Sequence, residues 1–224
     1  MLQHMSRRPA MPDDPAALAE FDRVFDMAVA SGPGTIIDYR LTQPLWQFIC
    51  YIADCREVVL HGSPNREIAV FEPRQPNDTT AFGNQKAVYA ASDGLWPMYF
   101  AILDRSVHPM STINASFQLV ERNGELGEPY YFFSITQAAL EARAFGRGMV
   151  YFLPRRTFVR QPPERHGGQL VSFAQWASLE PVLPLARIEV GPGDFPLLSH
   201  IRGHIDEVVF PRARAEPDGF PWVD

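Results

Sequence analysis

The chain has 224 residues, enough for one domain of ordinary size or for one domain with an added N-terminal helical piece. Hydrophobic residues make up 46%, with 16 Phe, so a sizeable core can be packed, while 21 Pro and 15 Gly favour short elements joined by turns. A formal net charge of -6 without a long basic run argues against non-specific nucleic-acid binding, which needs clustered Lys and Arg to neutralise phosphates.

In chain order, Met1 to Met11 is polar, carries Arg7-Arg8 and lacks the apolar stretch of an export signal, so it is expected to fray. Leu18, Phe21, Val24, Phe25 and Ala28 then recur at helical spacing. Asp13-Asp14 and Pro15 start that stripe and Ser31-Gly32-Pro33-Gly34 stops it, which predicts a helix over 15–30. A second helix is predicted after Thr42, carrying Leu45, Trp46, Phe48, Ile49 and Ile52 and ending near Asp54. Cys50 and Cys55 fall in or beside it and, without paired Cys or His ligands, read as reduced thiols in or near the core.

From residue 57 the pattern is mostly β. Strands are predicted over 57–60 and 87–91, separated by a short apolar piece at 68–71 and a loop over 72–78. A helix is expected over 95–103. Strands over 116–121 and 130–135 flank Asn123-Gly124-Glu125-Leu126-Gly127 as a hairpin with a long tip. A short helix over 136–144 and strands over 149–153, 169–173 and 186–190 follow. Beyond Phe210 the chain is Pro-rich, polar and weakly structured by its sequence. No run approaches the ~18–20 apolar residues of a membrane span, so a cytoplasmic protein without a membrane partner is expected. The fold class is α+β. An N-terminal helical extension (1–56) precedes a mixed β-sheet core of six or more short strands (57–210) and a Pro-rich tail (211–224). A doubly wound parallel sheet needs regular strand–helix alternation, which is missing.

Several familiar chemical devices are absent from the sequence: G-x-G-x-x-G after a strand, the phosphate-binding G-x-x-x-x-G-K-[ST] loop, H-E-x-x-H and G-x-S-x-G. Gly32-Pro33-Gly34 and Gly191-Pro192-Gly193 are too short to cradle phosphate, and their prolines remove amide donors. His200 and His204 would share a helix face, but Gly203 weakens a helix there and a third ligand is missing. They read as a surface pair, and no metal is implied. The series Arg147, Arg155, Arg156, Arg160 and Arg165 reads as a solvated face, with a local basic patch as the alternative.

What remains is Val58-Val59-Leu60-His61-Gly62-Ser63, a buried strand ending in a histidine, a glycine and a hydroxyl. Ala87-Val88-Tyr89-Ala90-Ala91-Ser92 and Met98-Tyr99-Phe100-Ala101 follow. A histidine and two tyrosines at strand ends can form a slot for a flat, polar heterocycle. Each also has an ordinary reading: His61 as a satisfied structural imidazole, Gly62 as a turn, the tyrosines as core aromatics.

In order and spacing these motifs resemble the poly(ADP-ribose)-polymerase and diphtheria-toxin-like branch of the ADP-ribosyltransferase superfamily, which uses a His, a Tyr and a Glu. The resemblance covers roughly residues 57–190, with its identifiable motifs in the first half. It implies an ADP-ribosyltransferase-like sheet and NAD as substrate. His61 would bond a ribose hydroxyl, the Gly62 backbone would hold the nicotinamide carboxamide with Ser63 assisting, and Tyr89 and Tyr99 would sandwich the ring. Glycine permits close backbone approach and aromatic faces suit a cationic pyridinium. The family's glutamate, which stabilises oxocarbenium character as nicotinamide leaves, falls to Glu180 in Ser178-Leu179-Glu180-Pro181-Val182. Glu189 is the second choice, because alternation would place it on a solvent face. The family's Ser-Lys-Ser-like run is replaced by Asp93-Gly94-Leu95-Trp96-Pro97-Met98, with Asn84 as a substitute polar contact. The implied activity is NAD-dependent ADP-ribosyl transfer, or NAD glycohydrolysis, with release of nicotinamide. The acceptor is left open among a protein side chain, a nucleic-acid end and a small molecule. Two alternatives stand: a catalytically inactive member of the fold acting as a binding module, and an unrelated α+β protein whose His61 and tyrosines are core. A toxin or defence role rests on analogy alone.

Overall fold

Asp14 caps the first helix, α1 (Pro15–Ala30), its Oδ1 accepting from the Ala16 amide at 3.0 Å, with Pro15 at the first position. α2 (Leu45–Cys55) packs across it. Phe21 meets Phe48 edge-on at 5.7 Å, and Phe25 and Phe48 both reach Phe152 of the sheet below, at 5.3 and 6.1 Å. The N-terminal helices therefore pack into the main core. The computed structural model describes residues 2–76 and 80–222; Asn77 and Asp78, the end of the expected loop over 72–78, and the last two residues of the tail lie outside the described residues.

The remaining helices are α3 (Leu95–Ile102), α4 (Gln137–Glu141) and α5 (Asp206–Ala215). The strands run β1 (Ser6–Arg7), β2 (Thr35–Ile36), β3 (Val58–Ser63), β4 (Val88–Ala91), β5 (Thr112–Leu119), β6 (Tyr130–Thr136) and β7 (Gly148–Pro154). They continue as β8 (Val159–Arg160), β9 (Glu164–His166), β10 (Gln169–Phe173), β11 (Gln175–Ser178), β12 (Ala186–Val190) and β13 (Arg202–His204). The first sheet has the order β1-β6-β5-β10-β9, with β13 parallel to β6. The second has the order β2-β12-β7-β3-β4-β11-β8, antiparallel except between β2 and β12. The fold is α+β.

One ribbon joins the sheets. Between β10 and β11, the Ala174 amide donates to the Ser116 carbonyl of the first sheet, while its own carbonyl accepts from Ser92 after β4. The main core fills the space between the sheets and the helices. Val58, Leu60, Val150 and Phe152 contribute from the second sheet, Tyr131 and Phe133 from the first. A smaller core lies on the second sheet's outer face, where Val59, Val88, Ala90, Tyr151 and Leu153 are covered by Phe71, Phe158 and Val182. β3 is thus buried on both faces, which is why it reads as a continuous apolar run.

Three regions differ from the sequence expectation. Ser6 and Arg7 pair with Tyr131 and Tyr130 instead of fraying, and the Arg7 guanidinium lies 3.6 Å over the Tyr130 ring. The first residues of the expected tail continue α5, which starts at Asp206, buries Val209 and runs to Ala215 although Pro211 lies within it. Strands β2, β8, β9, β11 and β13 have two to four residues each, too few for a periodic signal, and their pairing is set by neighbouring strands. Among the described residues no helix is long and apolar enough to cross a membrane.

Candidate functional site

β3 and β4 share one paired position, Leu60 with Ala91. Beyond it His61 occupies the gap, its Nδ1 2.7 Å from the Tyr89 carbonyl oxygen. A carbonyl only accepts, so Nδ1 carries the proton and, in the neutral ring, Nε2 keeps its lone pair. Burial pushes the pKa of this half-buried imidazole below its ordinary 6.5; the bond to Tyr89 opposes that, and the positive charge of Arg74 adds to it. The Phe71 ring lies 4.8 Å from the imidazole.

Pairing sets His61 in a row across the sheet's outer face. Arg187 of β12 faces Tyr151 of β7, which faces His61. On the other flank Ala90 of β4 faces Trp176 of β11, which faces Arg160 of β8. Residues 65–71 lie over this row. The Tyr151 hydroxyl donates to the Asn65 carbonyl at 2.8 Å and accepts from the Ile68 amide at 3.1 Å, and the rings of Phe71 and Tyr151 meet at 5.1 Å.

Tyr89 lies between outer-facing Val88 and Ala90, so its side chain points to the face opposite His61, where it anchors the loop at residues 82–85. Its hydroxyl accepts from the Gln85 amide at 2.9 Å and donates towards the Phe82 and Gln85 carbonyls at 2.8 and 3.0 Å. Asn84 is exposed and ties the legs of that loop together, its side-chain and backbone oxygens accepting from Gln75 Nε2 at 3.0 and 2.7 Å. Ser63 Oγ accepts from the Asn65 amide at 3.1 Å and shapes the turn after β3.

Gly62 has a packing reason to be glycine. A Cβ there would lie 1.7 Å from the Pro97 carbonyl oxygen, where α3 crosses β3, and the residue is paired with Val150 in the sheet. It is a ladder residue, not a turn.

Tyr99 requires a correction. It is fully buried, stacked on Phe133 at 4.6 Å, with its hydroxyl donating to the Ser134 carbonyl at 2.9 Å. α3 is apolar almost all round and is enclosed between the sheets, so Tyr99 turns into the main core and the expected sandwich with Tyr89 does not form. The run 93–98 that replaces the family's serine motif builds the start of α3. Buried Asp93 accepts from the amides of Leu95 and Trp96 at 3.3 and 2.9 Å, from Ser116 Oγ at 3.1 Å and from the Tyr131 hydroxyl at 2.7 Å. Asp followed two residues later by an apolar run was the available signal for this cap.

The two glutamates flank β3. Ser178 pairs with Val88, so the chain leaves β11 at the end of the sheet that β3 reaches at Ser63, two strands away or about 10 Å. Glu180 lies just beyond, exposed, its amide donating to Ser178 Oγ at 3.2 Å. Among the described residues its carboxylate has neither an ion pair nor a hydrogen bond. Glu189 is not on a solvent face. It pairs with Met149, which pairs with Ser63, so it shares His61's face of the sheet. Its carboxylate is neutralised by Arg66 and, at 2.6 Å, by Arg147.

His200 and His204 do not form a surface pair. His200 Nδ1 meets Ser6 Oγ at 2.8 Å, whereas buried His204 lies between Ser134 Oγ at 2.6 Å and Ser111 Oγ at 2.8 Å. Cys50 is buried, its pKa pushed well up by desolvation, and Cys55 is exposed. Among the described residues no group of three or more His, Cys, Asp or Glu is placed to hold a metal ion. The sequence reading also missed Phe71, Tyr151, Arg160 and Trp176, whose juxtaposition depends on strand pairing. No family model, no curated protein and no solved structure matches the chain.

Proposed function

We propose that the protein is an ADP-ribosyltransferase-like fold that binds NAD at His61 and breaks its nicotinamide–ribose bond, in the cytoplasm. The observation that carries this reading is the half-buried His61, held by the Tyr89 carbonyl at 2.7 Å under the segment 65–71 that Tyr151 anchors. Fixed in this tautomer, Nε2 accepts a hydrogen bond from a ribose hydroxyl. As the ribose C1′–nitrogen bond breaks, its electron pair returns to the nicotinamide ring and positive charge grows on the ribose. Glu180, the flanking carboxylate without a counter-charge, is the group available to stabilise that charge. Water or an acceptor then attacks C1′ and loses a proton. The acceptor is a protein side chain, a nucleic-acid end or a small molecule. The aromatic neighbour of His61 is Phe71, in place of Tyr99.

A second reading, a binding module of the same fold without turnover, is favoured by the exposure of Glu180, since no contact holds its carboxylate towards His61. Nicotinamide release from NAD decides between them. The wild type is expected to release nicotinamide, His61→Ala to lose on the order of 100-fold in rate, and Glu180→Gln to lose turnover while NAD still raises its Tm. A wild type stabilised by NAD without release is the module. One neither stabilised nor active overturns both readings.

A further inference from the structure

We infer that Arg160 and Trp176 form an oxyanion site at the edge of the second sheet that takes the pyrophosphate of a dinucleotide. The inference rests on the NAD reading above and extends it along the cross-strand row. Arg160 and Trp176 are paired residues of β8 and β11, so their side chains share one face. Arg160 is half-buried, and among the described residues its guanidinium makes neither a hydrogen bond nor an ion pair. Its Nε and the indole Nε1 of Trp176 are both shielded from solvent without an acceptor.

Other half-buried arginines have acid partners, except Arg202, which among the described residues has none, meets His4 Nδ1 at 3.4 Å and lies 6.0 Å over the Phe132 ring. Arg8 pairs with Asp54 at 2.8 Å, Arg155 with Glu57, and Arg187 with Glu67 at 3.6 Å. Arg156 and Arg165 are exposed, as a solvated face requires. Arg160 is the exception in the basic series. Its surroundings add positive charge, because Arg155 lies 5.5 Å over the Trp176 ring. The nearby acid Glu164 accepts from Gln161 Nε2 at 2.9 Å and lies 3.6 Å from His166.

A cation half removed from water beside a second cation is unfavourable, and both burial and Arg155 lower the Arg160 pKa. An oxyanion supplies the missing counter-charge and acceptors together, with the planar guanidinium suited to two phosphate oxygens. β8 lies three strand spacings from β3, about 14 Å, and the length of an arginine side chain shortens the gap.

The test is calorimetric titration of the full chain with ADP-ribose and with ADP, neither of which carries nicotinamide. Arg160→Ala is expected to weaken both by at least about 10-fold, Arg160→Lys to recover part of the loss, and Trp176→Phe to weaken binding by about 3-fold. Equal Tm values for wild type and variants establish that folding is unchanged. Unchanged ADP-ribose affinity in Arg160→Ala, no ADP-ribose binding by the wild type, or an equal loss in Arg156→Ala, which marks diffuse attraction, overturns the site. Failure of the NAD reading has a different signature: His61→Ala leaves NAD affinity unchanged while ADP binding still depends on Arg160.

Discussion

The two faces of the second sheet use similar side chains for opposite ends. On the inner face, Tyr99 is a packing element, stacked on Phe133 and fully buried with one satisfied hydroxyl. On the outer face, Tyr151 spends its hydroxyl on loop backbone, and His61 keeps a nitrogen unused among the described residues. The inner face is closed chemistry: buried donors have found acceptors. The outer face retains the unused His61 Nε2 and, three strands away, the uncompensated cation of Arg160. A motif with two tyrosines does not say whether either ring lies beside the histidine; the enclosure of α3 takes Tyr99 into the core, and alternation along β4 turns the Tyr89 ring to the face opposite His61.

Substitutions on either face sharpen that contrast. The largest effect is expected for Gly62→Ala, where the new Cβ meets the Pro97 carbonyl and α3 must move; a loss of about 3 kcal/mol or more is predicted in urea unfolding. Next is Asp93→Ala, which removes the α3 cap and strands the buried hydroxyls of Ser116 and Tyr131, for about 2–3 kcal/mol by the same measurement. Tyr99→Phe removes the buried hydroxyl bond to the Ser134 carbonyl and costs about 1 kcal/mol, with nicotinamide release unchanged. Tyr89→Phe is its counterpart. Stability changes by less than about 1 kcal/mol because the anchor holds a surface loop, but KM for NAD rises several-fold. If Tyr99→Phe impairs turnover more than Tyr89→Phe, the assignment of Tyr99 to packing alone is wrong.

The smallest effect is on pH dependence. His61 and His204 both have folded-state pKa values below the ordinary 6.5, chiefly through burial, with Asp206 opposing the shift at His204. The unfolded chain therefore takes up protons first as pH falls. Their contribution to stability is complete above 6.5 and is lost as pH falls through the folded values. Tm should be level above about pH 7 and decline towards about pH 5, with a shallower decline in His61→Gln.

Much of this architecture was legible in the residues. The stripe and caps of 15–30 give α1, and apolar runs bounded by turns give β10 and β12 with the predicted limits. The very short strands were not legible, because Gln175–Ser178 becomes a strand only through its partners Val88–Ala91 and Val159–Arg160. At the site, His61 and Tyr89 were legible as the ends of apolar runs and do meet. Tyr99 misled because a helix apolar on all sides gives no signal for which face its aromatic takes. Glu189 misled because alternation fixes which residues share a face but not which face is covered. The pairing of Arg160 with Trp176 spans two separate segments that no local pattern links.

The most direct test of the outer face as the NAD site is hydrogen–deuterium exchange of the wild type with and without NAD. The account predicts slowed exchange over residues 65–71, the segment above His61, and at β8 and β11, with α3 around Tyr99 unchanged. Protection centred on α3 and the Asp93 seam, with the loop above His61 unaffected, would contradict it.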